Sequence, residues 1–198
     1  MNNFWDSRYK KEKYVYGKHP NSFLKHQLTP LQTGYLLLPA EGEGRNAVYA
    51  ASLGWYVDAF DFSTEAQKKA TRLADEHSVK INYFNSRLEA IELNGREYDC
   101  IGLIYAHIPS TIRSQVHKRL ISHLKPGGRL ILEAFSEAQL ERDSGGPKNA
   151  DMLFSKEKLQ SDFSSLNISL LEYKTVTLDE GEHHQGEADV IQMLAYKS

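Results

Sequence analysis

Apolar positions along this chain fall into short blocks whose period alternates between strand and helix. Tyr35 to Leu38 is an apolar run that enters a glycine-bearing turn, Gly42-Glu43-Gly44. Small residues from Ala47 onward then read as a helix, and a second apolar run ends at Asp61. Thr64-Glu-Ala-Gln67 has the spacing of a capping box, and Ala66, Ala70, Leu73 and Ala74 form the apolar stripe of the helix it opens. Val79 to Phe84 alternates as a third strand, whereas Tyr98 to Tyr105 is almost continuously apolar, as expected of a strand covered on both faces. Ile112, Val116, Leu120, Ile121 and Leu124 mark a further helix. Lys125-Pro-Gly-Gly128 should end it with a tight turn before a fifth strand, Arg129 to Phe135.

Beyond residue 135 the alternation stops. Ser144 to Lys148 reads as a loop and Ser155 to Phe163 as a short helix. Two strands follow, about Ile168–Thr177 and Ala188–Tyr196, joined only by Leu178 to Glu187. That connection is too short for a crossover helix, so the pair is antiparallel. The earlier strand–helix alternation implies right-handed crossovers and parallel pairing. The predicted architecture is α/β: a three-layer sandwich around a mostly parallel seven-stranded sheet that ends in an antiparallel hairpin. With 198 residues, against a usual domain size of about 100–150, one domain over 1–198 is expected.

Residues 1–30 read as a cap segment. Phe4, Trp5, Tyr9, Tyr14 and Tyr16 interleave with Arg8, Lys10, Lys11 and Lys13, and a helix starts near Pro20-Asn21 with Phe23, Leu24 and Leu28 on one face. Such interleaving can contact nucleic acid, but the net charge is −2 with no basic excess, so rings folded over a ligand site is the favoured reading. No nucleic-acid partner is expected. No segment approaches the roughly 18 consecutive apolar residues of a membrane span, and MNNFWDSRYKKEKY lacks an apolar leader core. A soluble, cytoplasmic protein without a membrane partner is expected. Cys100, the single cysteine, sits in a buried-strand pattern and reads as core.

The chemistry gathers where strands end. Glycine at 42 and 44 permits positive φ and bare backbone beside a ligand, and the following helix offers unpaired N–H groups. Asp61, at the end of the next strand, suits two ribose hydroxyls. Together they read as a nucleoside-cofactor site, and Gly42-Glu-Gly44-Arg-Asn-Ala47 also fits the dinucleotide pattern G-x-G-x-x-A. Strand ends 38–42, 61–63, 85–88 and 105–108 should open onto one crevice. His107 is the candidate general base there, its alternative being a histidine held by a backbone carbonyl. Arg45 and Asn46 read as helix capping or surface pairing. His183-His184 invites a metal reading, but neighbours on an extended chain point to opposite faces, so a polar hairpin loop is favoured and no metal is expected. Ser144-Gly-Gly-Pro-Lys148 reads as a rim or a turn, and Lys148 and Arg113 as either anion contacts or solvated charges.

The hairpin ending, together with Lys-Pro-Gly-Gly before the fifth strand, resembles class I S-adenosylmethionine-dependent methyltransferases. More specifically, Phe4-Trp5-Asp6, Tyr14-Val-Tyr16-Gly17, Pro20-Asn21, Gly42-Glu-Gly44-Arg-Asn46 and Gly145-Gly-Pro147 resemble the tellurite-resistance and thiopurine methyltransferase-like branch. That family usually has an acid two residues before its first glycine, where this chain has Leu38 and Ala40, with Glu41 directly before Gly42. The resemblance implies a Rossmann-like fold, S-adenosylmethionine as cofactor with S-adenosylhomocysteine as product, and in-line transfer to a small-molecule nucleophile such as a thiol, selenium or tellurium compound. It implies that Glu41, Gly42 and Gly44, with Glu43 between them, border the methionine part. Asp61 would bind the ribose, Phe62 and Ser63 would flank the adenine, and Arg87 and Leu88 would meet its edge. Tyr105 and His107 would lie beside the reactive methyl as catalytic candidates, with Tyr16, Tyr105 and Glu41 as walls for the sulfonium. Residues 1–20 would order as a lid on cofactor binding. Two alternatives stay open: an NAD(P)-binding oxidoreductase, for which the expected Tyr-x-x-x-Lys pair is missing, and a non-catalytic S-adenosylmethionine-binding protein, suggested by Leu38 and Ala40. Nothing in the sequence sets the oligomeric state.

Overall fold

Seven strands form one sheet in the order β3-β2-β1-β4-β5-β7-β6. The computed structural model describes residues 2–198, with side chains from Phe4 onward, so Met1 of the expected cap lies outside the described residues. Strands β1 (Tyr35–Pro39), β2 (Tyr56–Asp61), β3 (Asn82–Asn85), β4 (Tyr98–Ile104) and β5 (Leu124–Phe135) are parallel. β7 (Gln185–Tyr196) runs antiparallel between β5 and β6 (Asn167–Asp179). Successive strand residues face opposite layers. Leu36 and Leu38 pack under α2 (Ser22–Leu28) and α3 (Arg45–Ser52), with Phe23, Leu24 and Ala47. Leu37, Ile101 and Leu103 pack with Val116 and Leu120 of α5 (Ser110–Ser122) and Leu159 of α6 (Lys156–Asp162). α4 (Thr64–Glu76) completes the first layer, closed against α3 by Val48, Leu73 and Ala74.

The chain leaves β1 toward β2 on one side and returns to β4 on the other, so strand order reverses between β1 and β4. A crevice opens at the carboxyl ends of strands at such a point. Ala40–Gly44, Asp61–Ser63 and Tyr105–His107 follow the carboxyl ends of β1, β2 and β4 at this crevice.

Four boundaries differ from expectation. The residues 2–9 segment of the cap is a helix, α1 (Asn2–Tyr9). The third strand begins at Asn82 because Val79 closes the end of α4, its N–H donating to the Ala74 carbonyl. Leu124 is the first residue of β5 and not the last of α5: it pairs with Tyr98, whose next paired neighbour, Cys100, meets Arg129. Lys125-Pro-Gly-Gly128 is therefore extruded within β5, and it is tied to Lys197 by two backbone hydrogen bonds at Gly127 and Gly128. The hairpin strands are longer than predicted, leaving only residues 180–184 as the turn.

Candidate active site

The glycine turn is held by side chains that close on nearby backbone. Gly44, at φ 87°, is the N-cap of α3, and a Cβ there would lie 2.6 Å from the Ala70 Cβ. Glycine is thus required both for the backbone and for the approach of α3 to α4. Since Gly44 brings no capping side chain, Glu41 does the capping: its Oε1 accepts from the N–H groups of Asn46 and Ala47, both at 2.8 Å. Burial pushes the Glu41 carboxyl up to about 7, with these donors acting against it. The side chain expected to border the sulfonium faces the helix. Ala40, at φ 53°, carries the left-handed turn that glycine would take more readily.

Asp61 lies beneath this turn. Gly42 N–H donates to Oδ2 at 3.2 Å and Ser63 N–H to Oδ1 at 3.0 Å. Burial raises its carboxyl to about 6, and Asp6 adds to the rise. Ser63 caps α4 through Ala66 N–H and meets the Asp6 carboxylate with its hydroxyl. Beside them the Arg87 guanidinium lies 5.9 Å from the Phe62 ring and pairs with Glu89, and Leu88 opens a short 3-10 turn. The expected adenine-side residues Phe62, Ser63, Arg87 and Leu88 are therefore gathered at the β2–β3 end of the edge.

α1 covers this end. Trp5 and Tyr9 stack at 5.5 Å, and the Tyr9 hydroxyl lies 3.0 Å from where a Gly42 Cβ would be. Tyr83 donates to the Gly42 carbonyl at 2.6 Å from the other side. Glu43 anchors the cap rather than facing the turn: Oε1 pairs with Lys69 at 2.6 Å, and Oε2 accepts from Val15 N–H at 2.7 Å. The roles of Tyr9 and Tyr83 were not visible in the sequence, because nothing in their spacing ties them to Gly42.

At the β4–β5 end, aromatic rings from distant segments meet. Tyr105, at φ 51°, stacks on Phe135 at 4.7 Å, and its hydroxyl donates to Glu133 Oε1 at 3.1 Å. Glu133 is 3% exposed and also accepts from Asn21 and Gln192; burial raises its carboxyl. The His184 ring lies 4.5 Å from Tyr16, 4.9 Å from Tyr105 and 5.3 Å from Phe135. Glu180 holds both His184 Nδ1 (3.1 Å) and Arg45 (2.9 Å), and these partners keep its carboxyl down at about 2 despite burial. His107 stacks on Phe135 and donates from Nδ1 to the Met152 carbonyl at 2.7 Å, and its Nε2 is enclosed without a partner. Burial lowers its imidazole to about 4, so it is neutral.

The structure therefore brings Tyr16, Tyr105 and His107 into one aromatic compartment, and Gly42, Gly44, Asp61, Phe62 and Ser63 into one turn. His184, read from sequence as part of a polar loop, is 6% exposed inside the compartment. Gly145 also reaches it, since a Cβ there would lie 2.7 Å from the His184 ring. Among the described residues no group of three or more His, Cys, Asp or Glu is placed to hold a metal ion. No described helix is long and apolar enough to cross a membrane.

Comparison with known proteins bears on what this edge handles. Residues 39–128, from the last residue of β1 through the glycine turn, Asp61, Tyr105 and His107, match a family described as a methyltransferase domain. A ubiquinone biosynthesis O-methyltransferase of Rickettsia akari is 32% identical over 101 residues, which cover 50% of this chain and 39% of that protein. The chain thus spans well under half the length of that curated relative. Among solved structures, TehB of Haemophilus influenzae superimposes with a TM-score of 0.74 at 16% identity, covering 100% of this chain and 67% of that one. Magnesium protoporphyrin IX methyltransferase of Synechocystis, solved with bound S-adenosylhomocysteine, gives 0.70 at 14% identity, covering 99% and 94%. At these identities the solved structures establish the fold, which is the Rossmann-like class I methyltransferase fold. The matched methyltransferase segment contains the glycine turn but not Tyr16, Glu133, Phe135 or His184.

Proposed function

We propose that this protein is an S-adenosylmethionine-dependent methyltransferase acting on a small molecule. The observation that carries the reading is the pairing, on one sheet edge, of a positive-φ glycine turn over the buried Asp61 with an aromatic compartment at the end of β4. The residues fit the cofactor. Gly42 leaves the main chain bare, and the Asp61 carboxylate has acceptor capacity beyond its two backbone bonds for a ribose. Phe62, Arg87 and Leu88 supply the flat and apolar contacts suited to an adenine, and the neighbouring tyrosines Tyr16 and Tyr105 present ring faces suited to a cation.

When bound, the cofactor supplies an electrophilic methyl group on sulfur. The chain's task is then positioning and exclusion of water. Tyr105 is fixed by Glu133 and Phe135, His107 is fixed by Met152, and α1 shields the glycine turn. The likeness to the tellurite-resistance branch favours a thiol, selenium or tellurium acceptor, while the names of the curated relatives specify transfer to oxygen. Calorimetric titration with S-adenosylmethionine, S-adenosylhomocysteine and NADH tests the reading. Binding of the first two is expected; binding of NADH alone would move the protein to the oxidoreductases.

A further inference from the structure

His184 stands apart from every other histidine of this edge. Glu180 is held anionic by Arg45, so His184 Nδ1 carries the proton it donates to Glu180 Oε2, and Nε2 carries the lone pair. No described residue partners Nε2, and the residue keeps 6% exposure. One imidazole of the compartment is shut in with Nε2 unpartnered; the other is oriented by a carboxylate and keeps a small exposure.

The charges nearby bear on the acceptor, Arg8 among them, whose guanidinium donates to the Tyr16 hydroxyl at 3.0 Å. Arg45 is neutralised by Glu180, and the cations that sequence reading offered to an anion are engaged elsewhere: Arg113 with Asp162, and Lys148 with Asp143. Glu133 adds a buried carboxyl. Whatever Arg8 does at Tyr16, a neutral imidazole lone pair beside a carboxyl disfavours an oxyanion or thiolate at Nε2 itself and welcomes an X–H donor. Thiols approach ionisation unaided near neutrality, whereas a hydroxyl oxygen is a weak nucleophile until a base draws off its proton.

We propose that His184, oriented by Glu180, is the general base of the reaction and that the acceptor is a neutral small molecule reacting through a hydroxyl. The inference rests on the methyltransferase reading above. Nε2 takes the hydroxyl proton as the oxygen bonds to the methyl carbon and the carbon–sulfur bond breaks, its electron pair remaining on sulfur. The imidazolium then releases its proton to solvent.

The test uses the full chain with labelled histidines, saturated with S-adenosylhomocysteine, and follows imidazole resonances by NMR as catechol, 2-mercaptoethanol or sodium tellurite is added. Catechol is expected to move the His184 signals and leave those of His107 in place. Catechol methylation should fall by about 100-fold or more in His184→Gln, the size of a lost general base, with S-adenosylmethionine affinity held within about twofold. The resonance readout on wild type stands whether or not the variant folds. Cofactor binding with His184 signals unmoved by catechol would overturn this inference alone, as would tellurite or thiol methylation that His184→Gln leaves unchanged. Failure of S-adenosylmethionine to bind in the calorimetric titration would overturn both readings.

Discussion

At the β1–β2 end of the edge, polar side chains close on backbone a few residues away or across one crossover. Glu41 caps Asn46 and Ala47, and Asp61 holds Ser63 and Gly42. At the β4–β5 end the partners come from the whole chain: Asn21 and Gln192 on Glu133, Arg45 on Glu180, and Tyr16 on His184. The first end is a local motif that can be carried between proteins. The second is assembled by topology, and the matched methyltransferase segment omits most of it. Under the proposed function, the end assigned to the cofactor is accordingly the general part of this molecule and the end assigned to the acceptor its particular part.

Glu180 joins the halves, because its partner Arg45 opens the cofactor-side helix. Replacing it with leucine leaves a buried guanidinium unpaired and frees the His184 ring. Glu180→Leu is expected to destabilise the fold by about 3–5 kcal/mol, the cost of breaking a buried pair on one side, read as a lowered urea midpoint. A loss within about 0.5 kcal/mol would mean that the two halves are independent.

Asp61→Ala tests the cofactor half by itself. Two hydroxyl hydrogen bonds to a carboxylate are worth about 3 kcal/mol or more together, so S-adenosylmethionine affinity should fall by about 100-fold in calorimetry. Asp61→Asn, which keeps an acceptor oxygen, should lose less. Equal binding in wild type and Asp61→Ala would remove the ribose role.

The same division explains how far the chain could be read. Seven strands, their parallel pairing and the closing hairpin follow from period and connection length, and so does the placing of Asp61 under the glycine turn. Glu41 was legible as an acid beside the turn but not as the cap of α3, since its direction depends on Gly44 bringing no side chain. His184 was misjudged because alternation places residues 183 and 184 on opposite faces without saying that one face meets Tyr16 and Tyr105. The signal available was Glu133, a carboxylate in the otherwise apolar Leu130-Ile-Leu-Glu-Ala-Phe135, which had to find buried donors.

Acidity separates stability from binding at the cofactor end. The folded carboxyl of Glu41 is raised to about 7 from 4.5, and that of Asp61 to about 6 from 3.8. Between about pH 4 and 7 these two carboxyls hold more protons in the folded state than in the unfolded chain, so their contribution to stability falls as pH rises, while the buried His107, lowered to about 4, with His117 and His184 also lowered, contributes in the opposite direction. If Asp61 holds the ribose as proposed, cofactor affinity is expected to run the other way, rising as Asp61 ionises through about 6. Glu180 is of opposite sign, with a folded value of about 2, and its stabilisation is lost only as pH falls below 4.5. Glu41→Gln removes one of these contributions, so its urea midpoint at about pH 5, taken relative to that at about pH 8, should be lower than the wild type's. The same pH 5 to pH 8 difference in Glu41→Gln as in wild type would mean that Glu41 ionises without cost.

The smallest effect concerns motion. α1 has eight residues, too few to be stable as an isolated helix, so its order comes from Trp5 and Tyr9 on the turn and from Asp6 at Ser63. Its far end is fixed differently, by Val15 on the buried Glu43–Lys69 pair. A ligand beneath α1 adds contacts to the helix and none to that anchor. Amide exchange of residues 4–9 is expected to slow by about tenfold with S-adenosylhomocysteine, the equivalent of about 1.4 kcal/mol, while Val15 changes little. Residues 180–184, already locked through Arg45 and Glu180, should also change little. Equal slowing in α1 and in the hairpin turn would mean that the cofactor closes the whole edge as one unit; no slowing in α1 would remove it as a lid and leave it as fixed packing over Asp61.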